Sequence, residues 1–412
     1  IILALLGILM VLVLSYLIKF QNVLGRITSH TTETHHVHVV VKKDAPYETM
    51  EDILALPFGA NTSIDEEAIT ITKDIIKEDT SAEIHIQRYD DFDQLYEAFN
   101  QDAPEVLLIK DAHLDLMSLV SETFEDEIKI IKTYTYEQEL DENDSVNTST
   151  DTFSIYISGL DFDGDIEKTQ RSDANIILTV NPVKKQILMT SIPRDTFVVR
   201  HTNGQKDKLS LVGYSGIKET MKTIEDFLEN DIDYSLKVNW TSVIDVVDAV
   251  GGIEINSPYS FKSQGVYFEA GYNYLDGQKA LSFVSHRQTL PDGEDSRAQN
   301  QQNVLEAIIK QVMSPSIITN YHGFLDAVGD SIILSMPEKQ LNNLIKDQIN
   351  TMSSWDILKT QIIGDVFDTY DAYSAKGKYQ VVKEPQEHLL KQAQDLIQKM
   401  EDNIEISQDM IE

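Results

Sequence analysis

The chain of 412 residues contains no cysteine. Disulfides, a catalytic thiol and cysteine-ligated zinc are therefore excluded, while the compartment stays open because exported proteins often lack cysteine too. Positive charge is scarce: 34 Lys and Arg oppose 68 Asp and Glu, a formal net charge of −34. A field of that sign repels DNA and RNA, whose binding rests largely on neutralised phosphates, so no nucleic-acid partner is expected. Any phosphate that is bound needs a local cationic pocket, helped by a divalent cation. Long apolar runs are confined to residues 1–18, IILALLGILMVLVLSYLI, with no charge before Lys19. As a helix of ~27 Å this run matches a bilayer core and reads as membrane-spanning, in preference to a signal-peptide core, because no small-residue cleavage site follows it. The chain starts with Ile, so upstream residues are expected and the flanking charges that would fix orientation are not there to count.

What is present suffices for two cores: 42% of the residues are hydrophobic. The reading is a transmembrane helix over 1–20, a polar stalk over 21–34, a small α/β accessory domain over 35–138 and an acidic linker over 139–151. A larger domain follows over 152–383, then a C-terminal helix and tail over 384–412. In the small unit AEIHIQRY, EVLLIKD and EIKIIKTYTY have the β-branched texture of strands, and DDFDQLYEAFN that of a helix. EQELDENDSVNTSTD is too acidic to bury a core face. The larger unit opens with three strand-like runs, FSIYISGLD, ANIILTVNP and QILMTSIPRD, followed by a helix near 216–228. Strands and helices alternate from there, the pattern of a mixed central sheet flanked by helices, an α/β fold.

Only seven arginines stand against 27 lysines, yet Arg171, Arg194, Arg200, Arg287 and Arg297 fall within under a third of the chain. Guanidinium forks match phosphate oxygens two at a time, which lysine does not, so the clustering points to an anion site. Surface arginines paired to the abundant carboxylates remain the competing reading. Arg171 directly precedes a strand and Arg194 directly follows one, positions at which α/β sheets build sites. Asp161 also follows a strand, and Asp173 sits beside Arg171 in R-S-D. Two such carboxylates suit Mg²⁺, which takes one or two from the protein and the rest from phosphate and water. Turn-capping by the same aspartates is the plainer alternative.

Other patterns carry less. Asp161, Asp163 and Asp165 imitate a calcium loop, but Ile166 and Ser172 stand where Gly and Glu are needed. Ser215 and Lys218 form S-x-x-K without any K-T-G in the chain. His35, His36 and His38 read as strand-surface residues rather than metal ligands.

Five segments occur in one order over 150 residues: ISGLD, RSDANIILTVNP, SIPRD, LDGQKALSFVSHR and EDSRAQNQQ. Together they resemble the LytR-CpsA-Psr family, from residue 153 to the C-terminal region. The apolar helix and small α/β unit ahead of them are similar to the arrangement of streptococcal capsule-locus CpsA proteins. The resemblance implies an enzyme, a phosphotransferase moving a glycopolymer such as capsular polysaccharide from a polyprenyl diphosphate carrier to peptidoglycan, with a possible pyrophosphatase side activity. It places the soluble part on the outer face of a Gram-positive cell membrane, near capsule assembly proteins. It assigns the diphosphate to Arg171, Arg194, Arg287, Arg297, Gln301 and Lys208, the Mg²⁺ to Asp161 and Asp173, and catalytic roles to Arg171, Arg194 and Glu294. A greasy pocket between sheet and helices would take the prenyl chain.

Two positions depart from the family pattern. Ser285 stands where a further arginine is expected in R-x-R, leaving a phosphate contact to be lost or taken by His286. Glu294 replaces an aspartate that is the candidate base, adding a methylene to its reach. The alternative to an enzyme is a membrane-bound sensor of polyprenyl diphosphate, or a regulator of capsule assembly, that binds the same ligand without turning it over.

Overall fold

The computed structural model describes residues 32–140, 145–163, 166–314, 324, 327–329 and 331–411. The expected membrane helix over 1–20 and most of the stalk lie outside them. Among the described residues no helix is long and apolar enough to cross a membrane.

The first half builds a five-stranded sheet from β1 (Thr32–Lys42), β2 (Pro57–Asn61), β3 (His85–Tyr89), β4 (Val106–Lys110) and β5 (Ile128–Glu139), in the order β3-β2-β4-β1-β5. β1 runs antiparallel to both of its neighbours, and Val37, Val39, Val40 and Val41 are fully buried. Strand alternation puts Val37, Val39 and Val41 in one core and Val40 in the other, and the register shift between Val39 and Val40 is taken up by an extra residue, Ile131, on β5. Helix α1 (Thr62–Thr80) starts at Asn61, whose side chain accepts the Ser63 amide, and buries Ala68, Ile69 and Ile76 on the first face. Helices α2 (Phe92–Asn100) and α3 (Asp111–Val120) cover the second. That second core is shared with the larger unit, which sends Leu211, Tyr214 and Ala375 into it.

The larger unit is a six-stranded mixed sheet flanked by helices, as expected. Its strands are β6 (Phe153–Leu160), β7 (Ser172–Asn181), β8 (Gln186–Ile192), β9 (Tyr234–Val238), β10 (Ile333–Leu334) and β11 (Asp356–Gln361), in the order β10-β9-β6-β7-β8-β11. One face carries Tyr156, Ile177, Leu188 and Ile192, packed against α4 (Ile217–Leu228) and the C-terminal helix. The other carries Ile157, Ile176, Leu178 and Met189, beneath α5 (Trp240–Ala249), α7 (Glu294–Val312) and α8 (Glu338–Thr351). Between α5 and α7 lies α6 (Gly277–Ser285). A hairpin of β12 (Gly364–Thr369) and β13 (Gln380–Pro385) precedes the last helix, α9 (Glu387–Glu401).

Three boundaries differ from the sequence reading. β1 begins at Thr32, inside the span read as stalk, and Glu33 is buried there because Lys237 and the Ile217 amide compensate its charge. The second half of the expected linker packs on the larger sheet: Thr148 is buried and donates to the Gln340 carbonyl. α9 is not an appendage; its stripe of Ala393, Leu396, Ile397 and Met400 completes the first face of the large core. The histidines also depart from expectation. His35 and His38 are buried, since β1 is an interior strand, and only His36 is exposed. His38 is held by Asp111 at 2.9 Å and Thr133 at 2.8 Å.

Candidate active site

Topology gathers the site. β6 is antiparallel to β7, and β7 to β8, so the end of β6, the start of β7 and the end of β8 meet at one edge. β11 runs parallel to β8 and ends there too. At this edge β6 and β7 approach closely: a Cβ on Gly159 would stand 2.7 Å from that of Ala174. Only glycine admits the contact, and the register shifts at the next residue, Leu160, immediately before Asp161.

Asp173 is the hub. Its Oδ2 accepts from Arg194 Nη1 at 2.5 Å and from Arg171 Nη2 at 3.3 Å, while Arg171 Nε stands 2.8 Å from Oδ1, off the hydrogen-bond axis. Arg171 Nη2 also donates to Asp161 Oδ2 at 3.0 Å. From α7, Arg297 Nη2 reaches the Asp173 carbonyl at 3.3 Å and pairs with Glu294 one turn earlier. Glu294 lies 3.6 Å from Arg194 Nε and 3.7 Å from Arg287 Nη1. Four of the five clustered arginines therefore converge on one rim. Six polar atoms there, Arg171 Nε, Asp173 Oδ1, Arg194 Nε, Asp195 Oδ1, Glu294 Oε2 and Arg297 Nε, are buried without a hydrogen-bond partner among the described residues, which is costly unless a ligand completes them.

The fifth arginine goes elsewhere. Arg200 is buried, pairs with Asp207 at 2.9 Å, donates to Ser215 and Ser374, and lies over the Tyr373 ring. It braces the fold, and it occupies the hydroxyl of the S-x-x-K serine.

Lys208 enters indirectly: its Nζ is 2.6 Å from Asp195 Oδ1, and Asp195 is 3.7 Å from Arg194 Nε. Gln301 sits half-buried on α7, one turn beyond Arg297 on the same face. Ser285 gives no substitute for arginine, since its hydroxyl donates back to the Leu281 carbonyl. His286 stacks on Phe261, with centroids 5.1 Å apart, and bonds Thr289. Sequence reasoning passed over Asp195, although it adjoins Arg194, and also Asp295 and Lys383, which pair at 2.5 Å at the same edge. Lys383 had no signal in the sequence, because 88 positions separate the partners.

The two aspartates differ electrostatically. Burial, together with the hydrogen bond and negative charge of Asp173, pushes the Asp161 carboxyl up to about 6. Burial would raise Asp173 as well, but Arg194 and Arg171 hold it below the usual carboxylate range. Among the described residues no cluster of three or more His, Asp or Glu suited to a metal is found. The pair still fits Mg²⁺: both donors are hard oxygens, Asp173 Oδ1 has no hydrogen-bond partner among the described residues, and their mutual repulsion is what a divalent cation relieves.

Residues 118–395 match the LytR_cpsA_psr family. The chain belongs to this family. Among similar proteins, the polyisoprenyl-teichoic acid–peptidoglycan teichoic acid transferase TagU of Enterococcus faecalis is 37% identical over 183 residues, 44% of this chain and 60% of that protein. The TagU of Bacillus mycoides is 31% identical over 219 residues, 53% of this chain and 71% of that protein. The chain thus spans about 60% of the length of the first of these relatives. Of solved structures, B. subtilis TagV superposes with a TM-score of 0.52 and 26% identity, covering 61% of this chain and 98% of TagV. A structure described as TagT bound to LI-WTA gives 0.50 and 27%, over 63% of this chain and 94% of that one.

Proposed function

We propose that this family member is a phosphotransferase that moves a glycopolymer, of the capsular or teichoic-acid class, from a polyprenyl diphosphate carrier onto peptidoglycan at the outer face of a Gram-positive cell membrane. The observation that carries this reading is the convergence of Arg171, Arg194, Arg287 and Arg297 around Asp173 and Glu294, with buried polar atoms left open. Guanidinium forks so arranged suit the two phosphates of a diphosphate. The names of the relatives, teichoic acid transferases acting on polyisoprenyl-linked polymer, support the same substrate class.

In the reaction, the oxygen of an acceptor sugar hydroxyl bonds to the phosphorus nearest the glycan. The bond from that phosphorus to the bridging oxygen breaks, and the polyprenyl monophosphate leaves with the electron pair. Glu294 Oε2, buried and accepting no hydrogen bond among the described residues, takes the hydroxyl proton. Arg194 and Arg297, both nearly buried, hold the equatorial oxygens, and the more exposed Arg287 reaches the outer phosphate. Fixed charges of this kind need no reorganisation as charge moves to the leaving oxygen. Asp161 and Asp173 would hold Mg²⁺, which when bound neutralises charge on the diphosphate oxygens. Gln301 and, through Asp195, Lys208 extend the grip. The prenyl chain runs beneath α5, α7 and α8, where Leu305, Ile309, Leu341, Leu344 and Ile345 are only partly buried, a wider set than Phe227, Leu390 and Ile411 on the opposite face.

The test is incubation of the purified full chain with a lipid-linked glycan diphosphate, Mg²⁺ and peptidoglycan. Released monophosphate and attached glycan are expected, and Arg194→Ala should lower the rate by about two to three orders of magnitude. Binding without release of monophosphate would make the chain a sensor and overturn the enzymatic reading.

A further inference from the structure

Beside the arginine cluster lies a surface for which the phosphate chemistry has no use. On the β12–β13 hairpin Val366 stands opposite Lys383 and Asp368 opposite Val381, so these four share one face. Lys383 fixes where that face points: its side chain reaches Asp295, next to Glu294, and its amide donates to the Asp195 carbonyl at 2.8 Å. Lys208 Nζ donates to the Val381 carbonyl at 3.1 Å. The face is thus continuous with the catalytic rim. Yet Val366 is 62% exposed, Val381 38%, and two aromatic rings beside them, Tyr370 and Tyr379, are 58% and 55% exposed.

The rings are held in place. Tyr379 donates its hydroxyl to Asp368 Oδ1 at 2.9 Å, and its ring meets that of Tyr370 at 66° with centroids 6.1 Å apart. They form an open aromatic notch whose walls need not be ordered on binding. Charge narrows the occupant. Each lysine of the hairpin region has a partner within the protein: Lys376, itself exposed, pairs with Asp91, Lys378 donates to the Val120 carbonyl, and Lys383 pairs with Asp295. Asp368 on this face and Asp371 just past the strand are exposed. Such a surface repels an anionic bilayer and repels a polyanionic polymer on the donor side. It suits an uncharged chain that offers flat ring faces, small methyl groups and hydroxyls.

We infer that this face docks the acceptor as a chain of N-acylated sugar rings, one ring stacked in the Tyr370–Tyr379 notch and an acyl methyl over Val366 and Val381. The inference rests on the proposed transfer reaction and gives its acceptor a place: sugar laid along the hairpin arrives at the rim beside Glu294.

Three measurements on the full chain separate the outcomes, with a soluble peptidoglycan tetrasaccharide of alternating N-acetylglucosamine and N-acetylmuramic acid, its lactyl carboxyls capped as amides so that it is uncharged, as the probe. In transfer assays, Tyr379→Ala and Val381→Ser should raise the acceptor KM about tenfold, the scale of one lost apolar contact. The kcat and the donor KM should change less than about twofold, and Tyr379→Phe, which keeps the ring, should stay near wild type. Direct binding of the tetrasaccharide is then followed by calorimetry on the transfer-dead Arg194→Ala chain, with and without Tyr379→Ala. Binding that depends on Tyr379 in a chain whose wild type transfers nothing would sink the transferase reading and keep the docking surface. Transfer with an acceptor KM indifferent to both Tyr379→Ala and Val381→Ser overturns the docking surface and keeps the transferase. Loss of binding to vesicles containing anionic phospholipid, with tetrasaccharide affinity intact, assigns the face to membrane and also overturns it.

Discussion

Asp173 and Arg194 are joined by a hydrogen bond of 2.5 Å although 21 positions separate them, one at the start of a strand and the other just past the end of its neighbour. The antiparallel pairing of those strands makes the contact, and the contact sets the sign of the site. A carboxylate that burial alone would neutralise is kept ionised, and a guanidinium fork is held with one nitrogen, Nε, making no hydrogen bond among the described residues.

Arg194→Lys keeps the positive charge and loses the fork. If two-point recognition of phosphate matters, transfer should fall about 100-fold while thermal stability moves little. A rate within a few-fold of wild type would show that a point charge suffices there.

Arg287 is half-exposed and touches only the rim through Glu294 at 3.7 Å. Arg287→Ala is expected to cost about tenfold in transfer, less than any change at Arg194, with no shift in Tm. Steady-state kinetics and a melting curve on the same preparation check both halves.

Metal removal has a defined expectation. Chelation should stop transfer, and Mg²⁺ should restore it; Asp161→Asn should raise the Mg²⁺ concentration for half-maximal rate by about tenfold, since one hard ligand of two is weakened. Asp173→Asn should also destabilise the chain, because Arg171 and Arg194 lose their shared counter-ion. Transfer unaffected by chelator would rule out the aspartate pair as a metal site.

Arg200 tests whether membership of the sequence cluster means membership of the site. Arg200→Ala strands a buried Asp207 carboxylate and should cost about 3–5 kcal/mol of stability. The fraction that remains folded should transfer at the normal rate, as activity per folded molecule in a denaturant titration would reveal.

The junction between the two sheets is acid-sensitive. Burial and the neighbouring Lys110 lower His35 to about 4, so in the folded chain it stays neutral well below the pH at which the unfolded chain protonates it. Burial works against the Glu33 carboxylate, but Lys237, His35, Lys110 and the Ile217 amide bring it down to about 2. The signs agree. The folded state binds fewer protons than the unfolded one between about pH 6.5 and 4 through His35, and between about 4.5 and 2 through Glu33. Stability should therefore fall as pH drops through both windows, by up to about 3 kcal/mol for the histidine. His35→Gln should flatten the upper window and Glu33→Gln the lower in chemical-denaturation curves taken against pH.

Much of this was legible in the sequence. The runs FSIYISGL, ANIILTV and QILMTSI alternate or stay apolar as interior strands must, and they became β6, β7 and β8. Charged residues abutting those runs, Asp161, Arg171, Asp173 and Arg194, had to lie at strand ends, because a strand buried on both faces has no room for them. α1 escaped notice, since Ile69, Thr70, Ile71, Thr72, Ile75 and Ile76 give it the β-branched texture of a strand. The stalk reading failed at Glu33 for a related reason: a lone carboxylate in a polar stretch gives no hint of a lysine 204 positions away.

Composition and local pattern alone determined that the chain is acidic, free of thiol chemistry, built of strand–helix units and furnished with forked cations at strand ends. These follow from side-chain chemistry and from periodicities of a few residues. Which strand ends share an edge was decided only by the tertiary structure. Pairing order is a property of the whole sheet, and it brought Asp173 to Arg194, carried Arg297 over β7, sent Arg200 into the interior and set Lys383 beside Asp295.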